Sequence, residues 1–195
     1  IHTSKGAVVY TGDLRMHGTK PEMTREFIDQ AEKTKPIALI IEGTRIDEVH
    51  DPKTEKDVER ECENCVSKAK TMVIADFNFK DVDRFRTFFE IAKSQSRKLV
   101  VSMKDALLLK WLSKDKKLNL PSPTDGNLAI YIPKRATGRY HESDYSKSEK
   151  QFLDLENSWT AKEVKNNQNR IIFTLSFFGM NELIDIKPDP NGFFI

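Results

Sequence analysis

The feature that most constrains this chain is a regular alternation of short apolar runs with helix-length amphipathic stretches between residues 53 and 112. Met72-Val73-Ile74-Ala75 and Lys98-Leu99-Val100-Val101 have the length and β-branched content of strands. Lys53 to Lys70 precedes the first run, Asp81 to Lys93 separates the two, and Lys104 to Leu112 follows the second. The middle stretch places Val82, Phe85, Phe88, Phe89 and Ala92 at helical intervals, and Phe85, Phe88 and Phe89 are expected in a core, base stacking being the other reading. Strand, helix, strand, helix at this spacing marks a parallel sheet flanked by helices, an α/β fold.

The flanks extend the pattern. Ile1 to Tyr10 reads as a hairpin turning at Ser4-Lys5-Gly6. Pro21 opens a helix carrying Met23, Phe27, Ile28 and Ala31, which ends before Lys35-Pro36. Ile37 to Ile41 is a continuous apolar run, as in a strand buried on both faces. The polar stretch Asp47 to Lys56 marks a domain boundary, giving units 1–47 and 48–195. Beyond the loop Pro121 to Asn127, Leu128 to Ile132 and Arg170 to Leu175 read as strands. Ser146 to Glu156 and Thr160 to Asn167 read as helices, Thr160 with Glu163 forming a capping pair, and Met180 to Leu183 as a helical turn.

A chain of 195 residues supports one large domain or two small ones. Its 32 basic and 30 acidic residues nearly cancel, which excludes a polybasic nucleic-acid arm or an acidic tail as the main feature. No apolar run approaches the roughly 18 residues of a membrane span, so no membrane partner is expected. Two cysteines cannot build a disulfide framework, and a reducing cytoplasm is the expected compartment. The chain opens on Ile1 and stops on Gly192-Phe193-Phe194-Ile195, ends that read as cuts in a longer protein.

Tyr10-Thr11-Gly12-Asp13-Leu14-Arg15-Met16-His17-Gly18 holds the first candidate for chemistry. An aspartate directly after a strand can bind a cation such as zinc and bridge two of them. The same Gly-Asp pair can equally serve as a turn. Glu42 ends the next apolar run and is followed by Gly43-Thr44-Arg45. A carboxylate there faces the crevice where α/β sheets bind ligands, or else pairs with a neighbouring arginine.

These two motifs in this order resemble the metallo-β-lactamase-fold hydrolases of the β-CASP type, such as ribonuclease J and the cleavage-and-polyadenylation endonuclease. The resemblance continues through Asp81 to Phe88, Glu90-Ile91-Ala92, Arg97 to Val100, Leu175-Ser176-Phe177-Phe178 and Asn181 to Asp185. It implies the end of a first metallo-β-lactamase segment over 1–47, part of an αββα domain, followed by most of a β-CASP domain. By resemblance Asp13 is the aspartate that bridges two zinc ions, and Glu42 is the catalytic-site acid that orients a later histidine. The implied parent enzyme is a zinc-dependent phosphodiesterase acting on RNA or DNA, with the β-CASP part guiding a single strand to the metals.

The family's His-x-His-x-Asp-His run is absent, the histidines being His2, His17, His50 and His141. The remaining metal ligands are expected outside the chain, and the chain alone is expected to be inactive. His17, four positions after Asp13, is either an auxiliary ligand or a local hydrogen-bonding residue. Arg45, and Lys134, Arg135 and Arg139 in a loop after a strand, are candidates for gripping phosphates of RNA or another single-stranded nucleic acid. The same loop residues can be a solvated surface. Cys62 and Cys65 read as free thiols, with zinc or redox use the other reading. Two rivals stand beside the nuclease fragment, a non-catalytic interaction or RNA-binding module and a hydrolase of a small substrate on the same fold, and any of them can self-associate into a homo-oligomer.

Overall fold

The computed structural model describes residues 1–14, 16, 18, 20–43 and 53–195. The chain forms two compact units, Ile1–Val58 and Glu59–Ile195. The boundary expected after residue 47 falls outside the described residues.

In the first unit, β1 (His2–Thr3) and β2 (Gly6–Tyr10) form the expected hairpin. Gly6 takes φ +139, and a Cβ there would lie 2.7 Å from Ile37 Cγ2, so the turn needs glycine twice over. Helix α1 (Pro21–Lys33) leads to β3 (Ala38–Ile40), which pairs with β2 in parallel, Val8 opposite Ala38 and Tyr10 opposite Ile40.

The run Ile37–Ile41 is a strand, but it is not buried on both faces. Leu39 is 59% and Ile40 53% exposed. Burying a strand needs a packed layer on each face. Here β3 is the edge of a three-stranded sheet, and α1, the helix of this unit ahead of it, buries none of its own residues.

In the second unit, the expected strands and helices assemble around one six-stranded sheet. Helix α2 (Glu55–Lys68) leads into β4 (Val73–Ala75), α3 (Val82–Ser94), β5 (Lys98–Ser102), α4 (Met103–Leu112) and β6 (Leu128–Tyr131). There follow α5 (Lys147–Lys150), β7 (Ser158–Trp159), α6 (Ala161–Asn166), β8 (Ile171–Thr174), α7 (Glu182–Ile186) and β9 (Phe193–Phe194). The order is β7-β6-β5-β8-β4-β9, and every pairing is parallel.

The strands alternate with period two. Val73, Ala75, Leu99, Val101, Leu128, Ile130 and Ile172 pack with Val66, Phe85, Phe88, Ala106 and Leu109 from α2, α3 and α4. Ile74, Val100, Ala129, Tyr131, Ile171 and Phe173 pack with Ala161, Val164 and Ile186 on the α6–α7 side. The unit is therefore a helix–sheet–helix layering, the architecture that lets parallel strands bury both faces. Phe85, Phe88 and Phe89 are core residues as expected.

Helix α5 is shorter than the stretch Ser146 to Glu156 read from the sequence. The chain turns after Lys150 so that Phe152 enters the core and its carbonyl accepts the Ser158 hydroxyl. Among the described residues, no helix is long and apolar enough to cross a membrane.

Candidate functional site

The first unit brings the two motif acids to the same end of neighbouring parallel strands. Past Tyr10, Thr11 N–H donates to Ile40 O at 3.1 Å, which prolongs the β2–β3 pairing by one residue. Gly12 then takes φ +58, a left-handed conformation that turns the chain at no steric cost. The turn carries Asp13 and Leu14, and the Leu14 N–H donates to Glu42 Oε1 at 2.9 Å. Glu42 thus fixes the backbone next to Asp13, while the Asp13 side chain is exposed to solvent. Arg45 and His17 lie outside the described residues.

A binuclear zinc site needs several donors converging on each ion. Among the described residues, no three histidine, cysteine, aspartate or glutamate side chains group to hold a metal. Asp13 and Glu42 alone do not make up a zinc site, and no reaction step is assigned through zinc in this chain. Cys62 and Cys65 are not joined in a disulfide; Cys62 lies half-buried against the core of the second unit.

The second unit has a topological switch point of its own. Strands β4 and β5 hand the chain to α3 and α4 on one face, whereas β8, lying between them, hands it to α7 on the other. Loops that part in this way leave a crevice at the carboxyl ends of the strands, the usual ligand position in such sheets.

The residues at these ends are tied together. Asp76, directly after β4, accepts the Phe177 N–H beyond β8 at 3.1 Å. Ser102, the last residue of β5, donates its hydroxyl to Asp105 Oδ2 at 2.7 Å and accepts the Asp105 N–H, capping α4. Burial pushes the Asp105 carboxyl up, against the pull of Ser102 and Lys104. On β6, the Tyr131 hydroxyl donates to Glu182 Oε2 at 2.8 Å. Burial raises the Tyr131 phenol strongly, and the Glu182 carboxylate adds to it.

The loop after β6 contains three of the expected basic residues, and the structure treats them differently. Lys134 donates to Asp185 Oδ1 at 3.0 Å, and that bond raises its ammonium pKa. Arg135 donates to Glu149 Oε1 at 2.7 Å. Arg139, beside Gly138 at φ +68 and Tyr140 at φ +57, is exposed and forms no ion pair among the described residues. Two of the three are therefore neutralised locally, and Arg139 is the one left for an external anion. His2 and His141 lie at the surface, His141 with Nδ1 2.7 Å from the Ser143 hydroxyl.

Sequence reasoning about individual residues missed Asp76, the Ser102–Asp105 pair and the Phe177–Phe178 turn. The signal was available: each lies at or within a few residues of the carboxyl end of a parallel strand, as Asp13 and Glu42 do. A further cleft lies at the opposite, amino-terminal edge, between Lys98, Gly126, Asn157 and Trp159. The Lys98 ammonium is 5.9 Å from the Trp159 ring centroid and donates to the Gly126 carbonyl.

No family model and no curated protein matches the chain. Among solved structures, the crystal structure of a protein of unknown function from Enterococcus faecalis V583 is similar, with a TM-score of 0.60 and 17% sequence identity. The match covers 89% of this chain and 36% of that one, so the chain spans about a third of the solved protein's length. At this identity the likeness shows a shared fold.

Proposed function

We propose that this chain is the strand-guiding part of a metal-dependent nuclease that hydrolyses RNA phosphodiester bonds, as the motifs shared with the metallo-β-lactamase/β-CASP hydrolases imply. The observation that supports this reading is the hydrogen bond from Leu14 N–H to Glu42 Oε1. It ties together two motifs that the resemblance alone assigns to one site and leaves the neighbouring Asp13 carboxylate open to solvent.

In this reading Asp13 would serve as a metal ligand only once histidine donors complete its site. Glu42 is a positioning residue, because its carboxylate holds the turn that carries Asp13. The six-stranded sheet supplies the surface along which a single strand is held.

The test is zinc-dependent cleavage of a single-stranded RNA by the longer protein that carries this chain. Cleavage is expected to fall to background in Asp13→Ala, and the 195-residue chain alone is expected to leave the RNA intact. Cleavage by the longer protein that survives Asp13→Ala overturns the reading. Binding without any cleavage by that protein replaces it with a non-catalytic module.

A further inference from the structure

Phe177 and Phe178 are the most conspicuous unassigned feature of the second unit. Phe178 is 94% and Phe177 68% exposed, although both rings sit on a well-built turn. Asp76 Oδ2 accepts the Phe177 N–H, Ser176 Oγ accepts the Phe178 N–H, and Gly179 N–H donates to the Ser176 carbonyl at 2.7 Å. The rings stand nearly perpendicular, 81° apart, with centroids 6.0 Å apart. The backbone is thus held while two large apolar rings stay in water, where burying them would be worth about 1.5–3 kcal/mol each.

The charges around the turn point to the kind of molecule it takes. At the carboxyl end of the sheet, Asp76, Asp105, Glu182 and Asp185 are each engaged, by Phe177 N–H, Ser102, Tyr131 and Lys134. Lys80 after β4, Lys104 at the start of α4 and Arg139 after β6 are exposed and form no ion pair among the described residues. Acids each tied to a neighbouring group, cations left open and exposed aromatic rings together make the pattern of a single-strand platform: bases stack on the rings and phosphates meet the cations.

We infer that Phe177 and Phe178 are a base-stacking platform, and that a single-stranded nucleic acid crosses the carboxyl ends of β4, β8, β5 and β6 with its phosphates on Lys80, Lys104 and Arg139. Neighbouring strands are about 4.8 Å apart, so β8 and β6 end about 10 Å apart, within the reach of two nucleotides. The inference deepens the proposed function and rests on its nucleic-acid reading, but it does not depend on cleavage.

The experiment is fluorescence anisotropy of a labelled twelve-nucleotide single-stranded RNA of mixed sequence with the 195-residue chain, from low to high salt. F177A/F178A is expected to weaken binding at least about tenfold, since stacking on an aromatic ring is lost for two bases. F177L/F178L keeps the apolar area and is expected to weaken binding similarly, whereas F177W/F178W preserves it. Arg139→Ala is expected to weaken binding of all sequences alike and to reduce the salt slope by about one. Both phenylalanines are exposed, and an unchanged circular dichroism spectrum confirms that each variant is folded.

Wild-type binding that is indifferent to all three phenylalanine variants overturns the platform and leaves the nuclease reading standing. No single-strand binding by wild type at low salt overturns the platform as well, with the cleavage assay of the longer protein deciding the nuclease reading separately. If F177A/F178A instead abolishes self-association in sedimentation and leaves RNA binding intact, the rings are a protein contact and the inference fails.

Discussion

Replacing Arg97 tests how the second unit is held together. Arg97 lies in the turn between α3 and β5 and is only 8% exposed. Its Nη1 donates to Thr71 O and Ile171 O, both at 3.0 Å, and Nη2 donates to Ala69 O at 2.6 Å. One guanidinium thereby joins the end of α2, the approach to β4 and the first residue of β8. Its acceptors are all backbone carbonyls, and burial lowers its pKa.

A hydrogen bond to a charged group contributes about 1.5–3 kcal/mol, so three give at most about 5–9 kcal/mol. Taking the charge out of water costs several kcal/mol and offsets part of this. Arg97→Ala is therefore expected to destabilise by about 3–5 kcal/mol, since it leaves three carbonyls unpaired at about 1–3 kcal/mol each while relieving the desolvated charge. At this chain length 1 kcal/mol moves Tm by about 2–4 °C, so Tm should fall by about 6–20 °C. Arg97→Lys should lose roughly half as much, because an ammonium cannot reproduce the planar fork. The assay is urea unfolding followed by tryptophan fluorescence, since both tryptophans, Trp111 and Trp159, lie in the second unit. The midpoint should drop with the slope unchanged. An Arg97→Ala or Arg97→Met variant within about 0.5 kcal/mol of wild type would refute the reasoning, since within that error the carbonyls would not need the guanidinium.

Other perturbations read different parts of the account. Glu163 closes the capping box of α6, and its hydrogen bond from the Thr160 hydroxyl, outweighing desolvation, holds its pKa below the usual carboxylate range. A lowered folded pKa stabilises above the unfolded value of about 4.3 and loses that contribution as pH falls. Glu163→Gln should accordingly destabilise at pH 7, with the difference shrinking in urea titrations as pH falls below the unfolded value; a difference constant with pH counts against it. Asp105 has the opposite sign: burial raises its pKa, so wild-type stability should fall as pH rises through the folded value, and Asp105→Asn should flatten that decline in the same titrations. A steeper decline in the variant would contradict this. Gly192→Ala would place a Cβ 2.4 Å from the Met72 carbonyl, in the segment that brings β9 to the sheet edge. It should cost about 1–3 kcal/mol and speed amide exchange at Phe193 and Ile195; an unchanged melting curve would sink that expectation. Glu42→Ala removes the acceptor of the Leu14 N–H, so that amide should exchange about tenfold faster by NMR, and unchanged exchange would show the turn to be held otherwise.

The second unit was legible because its local and global signals agree. The runs Lys98 to Val101 and Arg170 to Leu175 read as strands, and β5 and β8 form there with helices covering both faces. Thr160 and Glu163 announced the start of α6 from composition alone. Ile37–Ile41 carries the same signal yet stays exposed, because burial depends on layers that a strand cannot encode for itself. Arg97 finds its acceptors only through the fold, 26, 28 and 74 positions away. Lys134 and Arg135 read as open cations, but Asp185 and Glu149 reach them only through the fold. The exposure of Phe177 and Phe178 depends on the turn held by Ser176 and by Asp76, the latter 101 positions from Phe177.

The most direct measurement of the central claim, that the carboxyl end of the parallel sheet holds a single strand, is photocrosslinking of a 4-thiouridine-substituted single-stranded RNA to the 195-residue chain, mapped by mass spectrometry. The account expects adducts in the segments 76–81, 102–105, 133–145 and 175–185, all following the carboxyl ends of strands, and expects F177A/F178A to remove those at 175–185. Adducts confined to the opposite edge, around Lys98, Gly126 and Trp159, would contradict it.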